Sequence, residues 1–433
     1  MGFQVGEAIE VTTEDVAQGG WCVARPAGLP VLFVRHALPG ERVLARVTEV
    51  TTRFARADAV EVREPSPDRV TPPCPYAHPG GCGGCDWQHA TLTAQRALKA
   101  AVVAQQLRRL AGIERDVVVE PMPGDETGLG WRTRVQFAVR DDGVAGLRAH
   151  RSHRVVGIDD CLIAHPGIRE LGIPRHRWPG VATVEAAVGA DASAVILTPE
   201  SSSRFSRTDP ADSPPPPPPA TLAGAVPAQT VLSRRGGKLT PLRGRPYLTQ
   251  HAAGRDWRVS AEAFWQVHPA AADTLTAAVL AALEPKPGDT VADLYCGAGL
   301  FAGAVAREVG PEGAVTGVED DQAAVRDARH NLREFPWAQV RRGDVARVAR
   351  QGGLPRARLV VADPPRAGLA REVIGYLTGD SGATRFGYVS CDPATLARDL
   401  GLLLAAGWRL DNLRAFDAFP MTRHVECVAT LTR

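Results

Sequence analysis

Nowhere in this 433-residue chain does an uninterrupted apolar run approach the ~18 residues a membrane helix needs, so no membrane association is expected. The opening stretch, Met1-Gly2-Phe3-Gln4-Val5-Gly6-Glu7, lacks the basic flank and apolar segment of a secretory signal. A cytoplasmic protein with reduced thiols is the expectation. Lysine is nearly missing, with only Lys99, Lys238 and Lys286, and arginine carries the remaining positive charge. Genome base composition accounts for that bias without any appeal to function. Net charge is also small, at +2, which removes any argument from bulk charge to a nucleic-acid partner. Local charge says more. Between Trp131 and Arg154 stand Arg132, Arg134, Arg140, Arg148, Arg151 and Arg154 against Asp141 and Asp142, with Trp131 and Phe137 interleaved. A phosphate-contacting face and a solvated strand face are equally good readings of that stretch.

The length exceeds one ordinary core, so two or three domains are expected. Residues 1–64 hold five short β-prone runs, at 5–11, 20–24, 30–34, 41–50 and 54–64, punctuated by Gly19-Gly20, Pro26-Ala27-Gly28 and Pro39-Gly40. That pattern suits an OB-like β-barrel of the kind that holds RNA, with an SH3-like barrel as the alternative. Residues 65–255 form a central α+β region. A helix is predicted over 92–110 from the stripe Leu98, Val102, Leu107 and Leu110, with strands over 135–139 and 154–158. The stretch 201–220, with Pro214 to Pro219 in a row, reads as a polyproline or disordered surface insertion. Residues 256–433 alternate strand and helix. This predicts an α/β doubly wound sheet, Rossmann-like, with its ligand at the carboxyl ends of the strands.

Three strand ends in this last region carry chemistry. Phe386-Gly387-Tyr388-Val389-Ser390-Cys391-Asp392-Pro393 reads as a strand running into a helix, with Asp392 as cap and Pro393 as first helical residue. A thiol there sits beside the positive end of a helix dipole, which favours thiolate and makes Cys391 a candidate nucleophile. A merely buried thiol is the bland alternative. Leu359-Val360-Val361-Ala362-Asp363-Pro364-Pro365-Arg366 resembles the Asp-Pro-Pro-aromatic motif of amino-methyltransferases, but Arg366 replaces the aromatic residue. Stacking is lost and a cationic fork gained, which argues against adenine-amino methylation. Asp293-Leu294-Tyr295-Cys296-Gly297-Ala298-Gly299 is a glycine turn without the third glycine of the NAD fingerprint. It suits S-adenosylmethionine, which has no pyrophosphate to cradle. Cys296 lies inside the turn and reads as a covered structural thiol.

Glu319 ends the next strand, where a carboxylate accepts hydrogen bonds from a ribose diol. Asp344 binds an adenine amino group or caps a helix. Glu426 interrupts the apolar run Val425-Glu426-Cys427-Val428-Ala429, so it must be paired, protonated or catalytic. A salt bridge to an arginine is the competing reading, and His424 shares the face of Glu426.

Cys74, Cys82 and Cys85 cluster in a glycine- and proline-rich loop, and Cys161 offers a fourth thiolate. In a reducing compartment this reads as a metal site before disulfides. Zinc and an iron–sulfur cluster both accept four cysteines. Only one Cys-x-x-Cys knuckle is present, so the cluster is favoured over a zinc ribbon. His78 reads as a loop-surface residue, and Cys22 and Cys427 as structural.

Together these residues resemble the RNA uracil-C5 methyltransferase family, whose bacterial members make 5-methyluridine in transfer or ribosomal RNA. The likeness spans most of the chain outside 190–245. It implies a TRAM domain at 1–64, a 4Fe-4S site at Cys74, Cys82, Cys85 and Cys161, and a class I methyltransferase domain using S-adenosylmethionine. Phe264-Trp265-Gln266-Val267 is similar to the segment whose glutamine touches the methyl donor. Tyr295, Gly297, Glu319, Asp344 and Asp363 fall on cofactor or substrate positions. The run 390–399 is similar to the nucleophile motif around Cys391, and 419–426 to the motif that carries the base, Glu426. The chain departs from its relatives in seven residues between Cys74 and Cys82, and in His268, Leu300 and Asp392, where asparagine is frequent.

The chemistry implied is specific. C5 of uracil is too weak a nucleophile to take a methyl group from a sulfonium, and thiolate addition at C6 makes it an enolate carbon. The expected partner is RNA with its target base extruded, with no obligate protein partner. Two other readings fit less well: a cytosine-C5 enzyme needs a carboxylic acid at N3 and Pro-Cys motifs absent here, and a silent RNA-binding protein would not need Cys391 and Glu426. A radical enzyme would need Cys-x-x-x-Cys-x-x-Cys, which Cys74–Cys85 does not match.

Overall fold

The structure is a computed structural model, and it describes residues 2–200, 219–379 and 381–433. The proline row therefore lies, up to residue 218, outside the described residues. The chain opens with β1 (Ala8–Thr12), β2 (Asp15–Ala17), β3 (Trp21–Ala24), β4 (Val31–Arg35), β5 (Arg42–Val50) and β6 (Phe54–Glu64). They form one six-stranded sheet in the order β1-β5-β6-β4-β3-β2. Alternation drives it: in β5, Val43, Ala45 and Val47 are buried while Arg42 and Arg46 are exposed. The five expected runs are all strands. The additional β2 is three residues long, too short for any periodicity to announce it.

Helix α1 (Leu92–Gln106) starts where the Thr91 hydroxyl accepts the Ala94 N–H at 3.2 Å. Its last turn widens into a π-helix over Leu107–Ala111, and Gly112 closes it at φ 66°. After β7 (Val119–Glu120) come β8 (Arg134–Val139), β9 (Ala145–Arg148), β10 (Val155–Gly157), α2 (Pro166–Arg169), β11 (Val181–Val188), β12 (Ser193–Pro199), α3 (Pro219–Leu222), β13 (Thr230–Arg235) and β14 (Lys238–Arg243). A seven-stranded sheet, β10-β9-β8-β11-β12-β13-β14, packs around Phe137, Trp178, Val184 and Leu197. Trp131 and Phe137 are both buried, at 3% and 2% exposure. Strand alternation points Phe137 inward, whereas Trp131, ahead of β8, packs on Ile163 and Met421 at the edge of the large cleft described below. The arginines divide: Arg134 pairs with Glu185 and Arg140 with Asp142, whereas Arg132 and Arg151 line the large cleft described below.

A hairpin, β15 (Tyr247–Ala252) and β16 (Arg255–Ser260), leads to the last region. There follow α4 (Ala271–Leu283), β17 (Thr290–Leu294), α5 (Leu300–Val309), β18 (Ala314–Glu319), α6 (Gln322–Asn331), β19 (Ala338–Arg342), α7 (Val345–Arg350) and β20 (Leu359–Ala362). The chain ends with α8 (Arg371–Thr378), β21 (Arg385–Ser390), α9 (Pro393–Ala405), β22 (Arg409–Phe416) and β23 (Glu426–Thr432). The eight-stranded sheet runs β19-β18-β17-β20-β21-β23-β22-β7. It is parallel from β19 to β21, and β23 inserts antiparallel between β21 and β22. Strand order reverses between β17 and β20, so a crevice opens at their carboxyl ends. Among the described residues no helix is long and apolar enough to cross a membrane.

Packing crosses the sequence division at 256. Val103, Leu107 and Val119 lie in the same core as Phe386, Leu396 and Leu400. Lys99 of α1 is fully buried and pairs with Asp417, itself 2% exposed, while its ammonium also donates to the Phe419 carbonyl at 3.0 Å. Removing one partner of a buried pair strands the other charge. Lys99→Met should therefore cost about 3–5 kcal/mol in urea unfolding, and adding Asp417→Leu should restore most of it.

Candidate active site

At the end of β17, Tyr295 takes a left-handed φ of 65°, uncommon for a residue with a side chain, and turns the chain out of the sheet. A Cβ placed on Gly297 would meet nothing within 4 Å, so the turn is open to the cleft on that side. Gly299, at φ 90°, instead lies close against Ala328 of α6, where a Cβ would stand 3.4 Å from the Ala328 Cα. The Asp293 carboxylate accepts the Ala302 N–H at 2.7 Å and anchors the start of α5. Glu319 Oε2 accepts the Gly297 N–H at 3.0 Å, and Oε1 accepts those of Asp320 and Asp321 at 2.8 Å each. Its carboxylate is held at the rim with lone pairs to spare. Asp344 does cap a helix, accepting the Arg347 N–H of α7 at 2.7 Å through Oδ1, and also lines the cleft. The two readings of this residue are compatible, because a carboxylate has a second oxygen.

The cleft has a volume of about 1290 Å³, room for a nucleoside-sized donor and a second base. Gln266, Tyr295, Gly297, Glu319 and Asp344 line one arm, and Asp363, Arg366, Cys391, His424 and Glu426 the other. The structure thus brings together in one cleft every catalytic and cofactor candidate read from the sequence. The arms meet where Gln266 Nε2 approaches Asp363 Oδ2 at 3.5 Å.

β21 and β23 position two of the candidates. Their register ends with the pair Ser390–Cys427, so Cys391, just past β21, and Glu426, first in β23, lie at the same end of the two strands. Glu426 is 4% exposed and its Oε1 has no hydrogen-bond partner. Among the described residues it makes no salt bridge, so the structural alternative for this carboxylate is not realised. Burial, then the negative Asp363, holds its proton well above the usual carboxylate range. Enclosure likewise pushes Asp363 up to about 7.

Cys391 corrects an expectation. Its thiol is not depressed but pushed up to about 12, by burial first and then by Glu426 and Asp363. The helix end was expected to do the opposite. Asp392 Oδ1 accepts the N–H groups of Ala394 and Thr395 at 3.0 Å each, so the first-turn donors of α9 are spent on a neighbouring negative charge. Arg366 opposes the rise, and its Nη2 lies 3.4 Å from His424 Nε2. Burial and the Arg366 and Arg423 charges push His424 down to about 3, so the ring is neutral. Cys296 is buried and burial raises it far above the thiol range, as expected of a structural thiol.

Cys74, Cys82, Cys85 and Cys161 line a second cavity of about 420 Å³. The Gln88 amide donates to Cys85 Sγ at 3.1 Å and the Gly84 N–H to Cys82 Sγ at 3.4 Å. Burial raises all four thiols. Among the described residues no three His, Cys, Asp or Glu side chains are grouped to hold a metal ion. The expected iron–sulfur site is therefore met in convergence but not in ligand geometry. Protonated thiols do not close in as thiolates around a cation do. His78 does not line this cavity and its Nδ1 lies 2.8 Å from the Pro79 carbonyl, and Cys22 is buried with its thiol on the Ala37 carbonyl at 3.1 Å.

Gln18 was not legible in the sequence. From the turn after β2 its Nε2 reaches Asp392 Oδ2 at 3.4 Å, which brings the N-terminal sheet to the residue beside Cys391. No local pattern marks a contact between residues so far apart in the chain.

Residues 356–433 match the tRNA (Uracil-5-)-methyltransferase family, residues 2–60 the TRAM domain and residues 269–372 the methyltransferase small domain. The chain is 51% identical to an uncharacterized RNA methyltransferase of Streptomyces coelicolor, over 99% of this chain and 93% of that protein. It is 32% identical to the 23S rRNA (uracil(1939)-C(5))-methyltransferase of Acidithiobacillus ferrooxidans, over 98% of this chain and 97% of the relative. The chain belongs to the RNA uracil-C5 methyltransferase family. The fold of this family extends over the whole chain. Pyrococcus abyssi tRNA (uracil-54, C5)-methyltransferase, solved in complex with S-adenosyl-L-homocysteine, aligns with a TM-score of 0.72 at 22% identity, covering 98% of this chain and 100% of that one.

The raised carboxylate of Asp363 has a stability consequence. The folded chain keeps that proton up to about pH 7, whereas the unfolded chain releases it near the ordinary value of about 3.9. The unfolded state binds fewer protons in between, so rising pH destabilises the fold across that window. Asp363→Asn should flatten the fall in urea midpoint between about pH 4.5 and 7. An unchanged slope would contradict a proton held there.

Proposed function

We propose that this enzyme methylates C5 of a uridine in structured RNA, with S-adenosylmethionine as the methyl-donating substrate and Cys391 as a transient covalent nucleophile. The observation that carries this reading is the buried Glu426, its Oε1 without a hydrogen-bond partner among the described residues, at the same strand ends as the Cys391 thiol whose proton affinity it raises. The donor arm fits the substrate assigned to it. Glu319 would take the ribose diol, the free Asp344 oxygen the adenine edge, and the open side of Gly297 would admit the amino-acid part. Gln266 and Asp363 stand where the two arms join.

Because Cys391 rests as a thiol, its proton must leave as it attacks. Asp363, poised near neutrality, is the group to take it. The Sγ–C6 bond then forms, and the C5=C6 electron pair moves into an enolate. C5 attacks the donor methyl and the sulfonium–methyl bond breaks, leaving S-adenosylhomocysteine. Glu426, which must release its own proton to solvent as the cationic donor enters the cleft, removes the C5 proton as a carboxylate, and that electron pair restores C5=C6 as the thiolate departs. Asp363 returns its proton to the thiolate, and Glu426 gives up the C5 proton to solvent. Arg366 offsets the negative charge that accumulates during these steps.

The organisation supports an RNA partner. We assign residues 1–64 to RNA binding, 65–255 to a cysteine-bearing central unit and 256–433 to catalysis. Arg56, Arg132, Arg151 and Arg423 surround the mouth of the cleft, where phosphates flanking an extruded base would lie. For the second cavity we infer a 4Fe-4S cluster in preference to zinc. Four cysteines line this one cavity, and four thiolates are the donor set a cluster takes. Cys74, Cys82, Cys85 and Cys161 would hold it, and it would supply a structural tie between the 74–85 loop and residue 161.

Cys391→Ala should abolish methyl transfer, by ~10,000-fold or more, whereas Cys296→Ser should act mainly on donor affinity. RNA carrying 5-fluorouridine should form a denaturation-resistant adduct at Cys391, because fluorine cannot leave as a proton. Full turnover by Cys391→Ala would reject the mechanism. Anaerobically purified protein should contain iron and sulfide and absorb in the visible, and Cys85→Ser should lose all three; zinc in place of iron would overturn the cluster assignment.

A further inference from the structure

The loop from residue 417 to 425 leads directly into Glu426, and groups remote in sequence set its shape. Met421, at its centre, has φ 65°, a left-handed conformation that a residue with a side chain keeps only when its surroundings over-determine it. Gln95 of α1, fully buried, is one such constraint. Its Oε1 accepts the Met421 N–H at 2.8 Å, and its Nε2 lies 3.3 Å from Met421 Sδ. The same Nε2 is fixed by the Trp87 and Ala90 carbonyls at 3.1 and 2.9 Å. The Met421 carbonyl in turn accepts the N–H groups of Asp86 and Trp87 at 2.9 and 3.0 Å. Asp86 Oδ2 accepts the Arg423 N–H at 3.1 Å. One turn along α1, Lys99 holds Asp417 and the Phe419 carbonyl.

Gln95 and Lys99 thus occupy one helix face at i and i+4, both fully buried, and both spend their polar groups on a single loop. A helix face that served only the core would be apolar there. Every hydrogen bond that Met421 makes among the described residues comes from the chain segment 86–95, while its side chain packs on Trp131 and Ile163, and Asp86 directly follows Cys85. We propose that Gln95, with the backbone of Asp86 and Trp87, is the positioning device for the general base: it locks Met421 left-handed, so that the following strand enters with Glu426 at the same strand end as Cys391. This rests on the covalent mechanism proposed above.

The base acts only after the methyl group has been transferred. A displaced Glu426 therefore slows elimination while leaving thiol addition and methyl transfer intact, and the methylated covalent adduct accumulates. A purely structural role for Gln95 would lower turnover without that accumulation. Gln95→Met keeps the side-chain volume and removes the amide. On ordinary RNA with S-adenosylmethionine, its turnover should fall roughly 10- to 100-fold. The denaturation-resistant protein–RNA adduct should rise several-fold over wild type, with KM for both substrates within about twofold.

Glu426→Gln is the control and should trap the adduct strongly. If Glu426→Gln traps and Gln95→Met binds S-adenosylmethionine yet shows normal turnover, or lost turnover without adduct, the positioning role is overturned. If Glu426→Gln traps nothing, the covalent reading fails and the inference with it. Should Gln95→Met fail to bind S-adenosylmethionine, the same adduct ratio is read on Met421→Val, whose β-branched side chain opposes φ 65° while the backbone donors and acceptors stay, and the adduct should rise several-fold. A wild-type adduct level in Met421→Val overturns the proposal.

Discussion

Antiparallel pairing of β21 with β23 is the constraint on which the site depends. Ser390 and Cys427 are paired, and the next step along each strand is Cys391 and Glu426. A slip of one residue would send the Glu426 side chain to the opposite face of the sheet. Slippage is expensive because both faces are packed. Tyr388 and Val389 on one strand, and Val428 and Ala429 on the other, are all buried at 2% exposure or less. β22 covers the outer side of β23, and β7 extends the sheet beyond it, so the strand that carries the carboxylate is not an edge.

Burial on that scale also dictates the electrostatics. Three acidic groups, Cys391, Asp363 and Glu426, share one enclosed pocket, and each favours its protonated form there. Arg366 is the principal positive charge acting on both Cys391 and Glu426, and the neutral His424 beside it adds none. In such a pocket the proton affinity of each group responds strongly to any change of charge on its neighbours. The helix terminus beside Cys391, attractive as a source of thiolate in isolation, is neutralised by its own cap.

Much of this was legible in local pattern. Helix Pro393–Ala405 begins at the residue that its cap and proline predicted, and strand Leu359–Ala362 ends just ahead of Asp363 as expected. The Cys391 and Glu426 motifs are short, contiguous and chemically unusual, so they stand out without structure. Phe137 misled because interleaving with arginine says nothing about which face of a strand meets solvent. β7 and the hairpin β15–β16 were not read, since two residues have no period and Arg255-Asp256-Trp257-Arg258 does not look apolar. Trp257 is nevertheless wholly buried.

Sequence alone determined the family and the candidate side chains of the cleft, because these rest on neighbours within a few residues of one another. Tertiary structure decided what those side chains can do. It raised rather than lowered the Cys391 thiol, left Glu426 Oε1 without a hydrogen-bond partner among the described residues, and placed Gln95, Lys99 and Asp86 against the loop ahead of Glu426. Proton affinity and loop conformation depend on burial and on contacts spanning more than 300 residues of chain, and no local pattern encodes either.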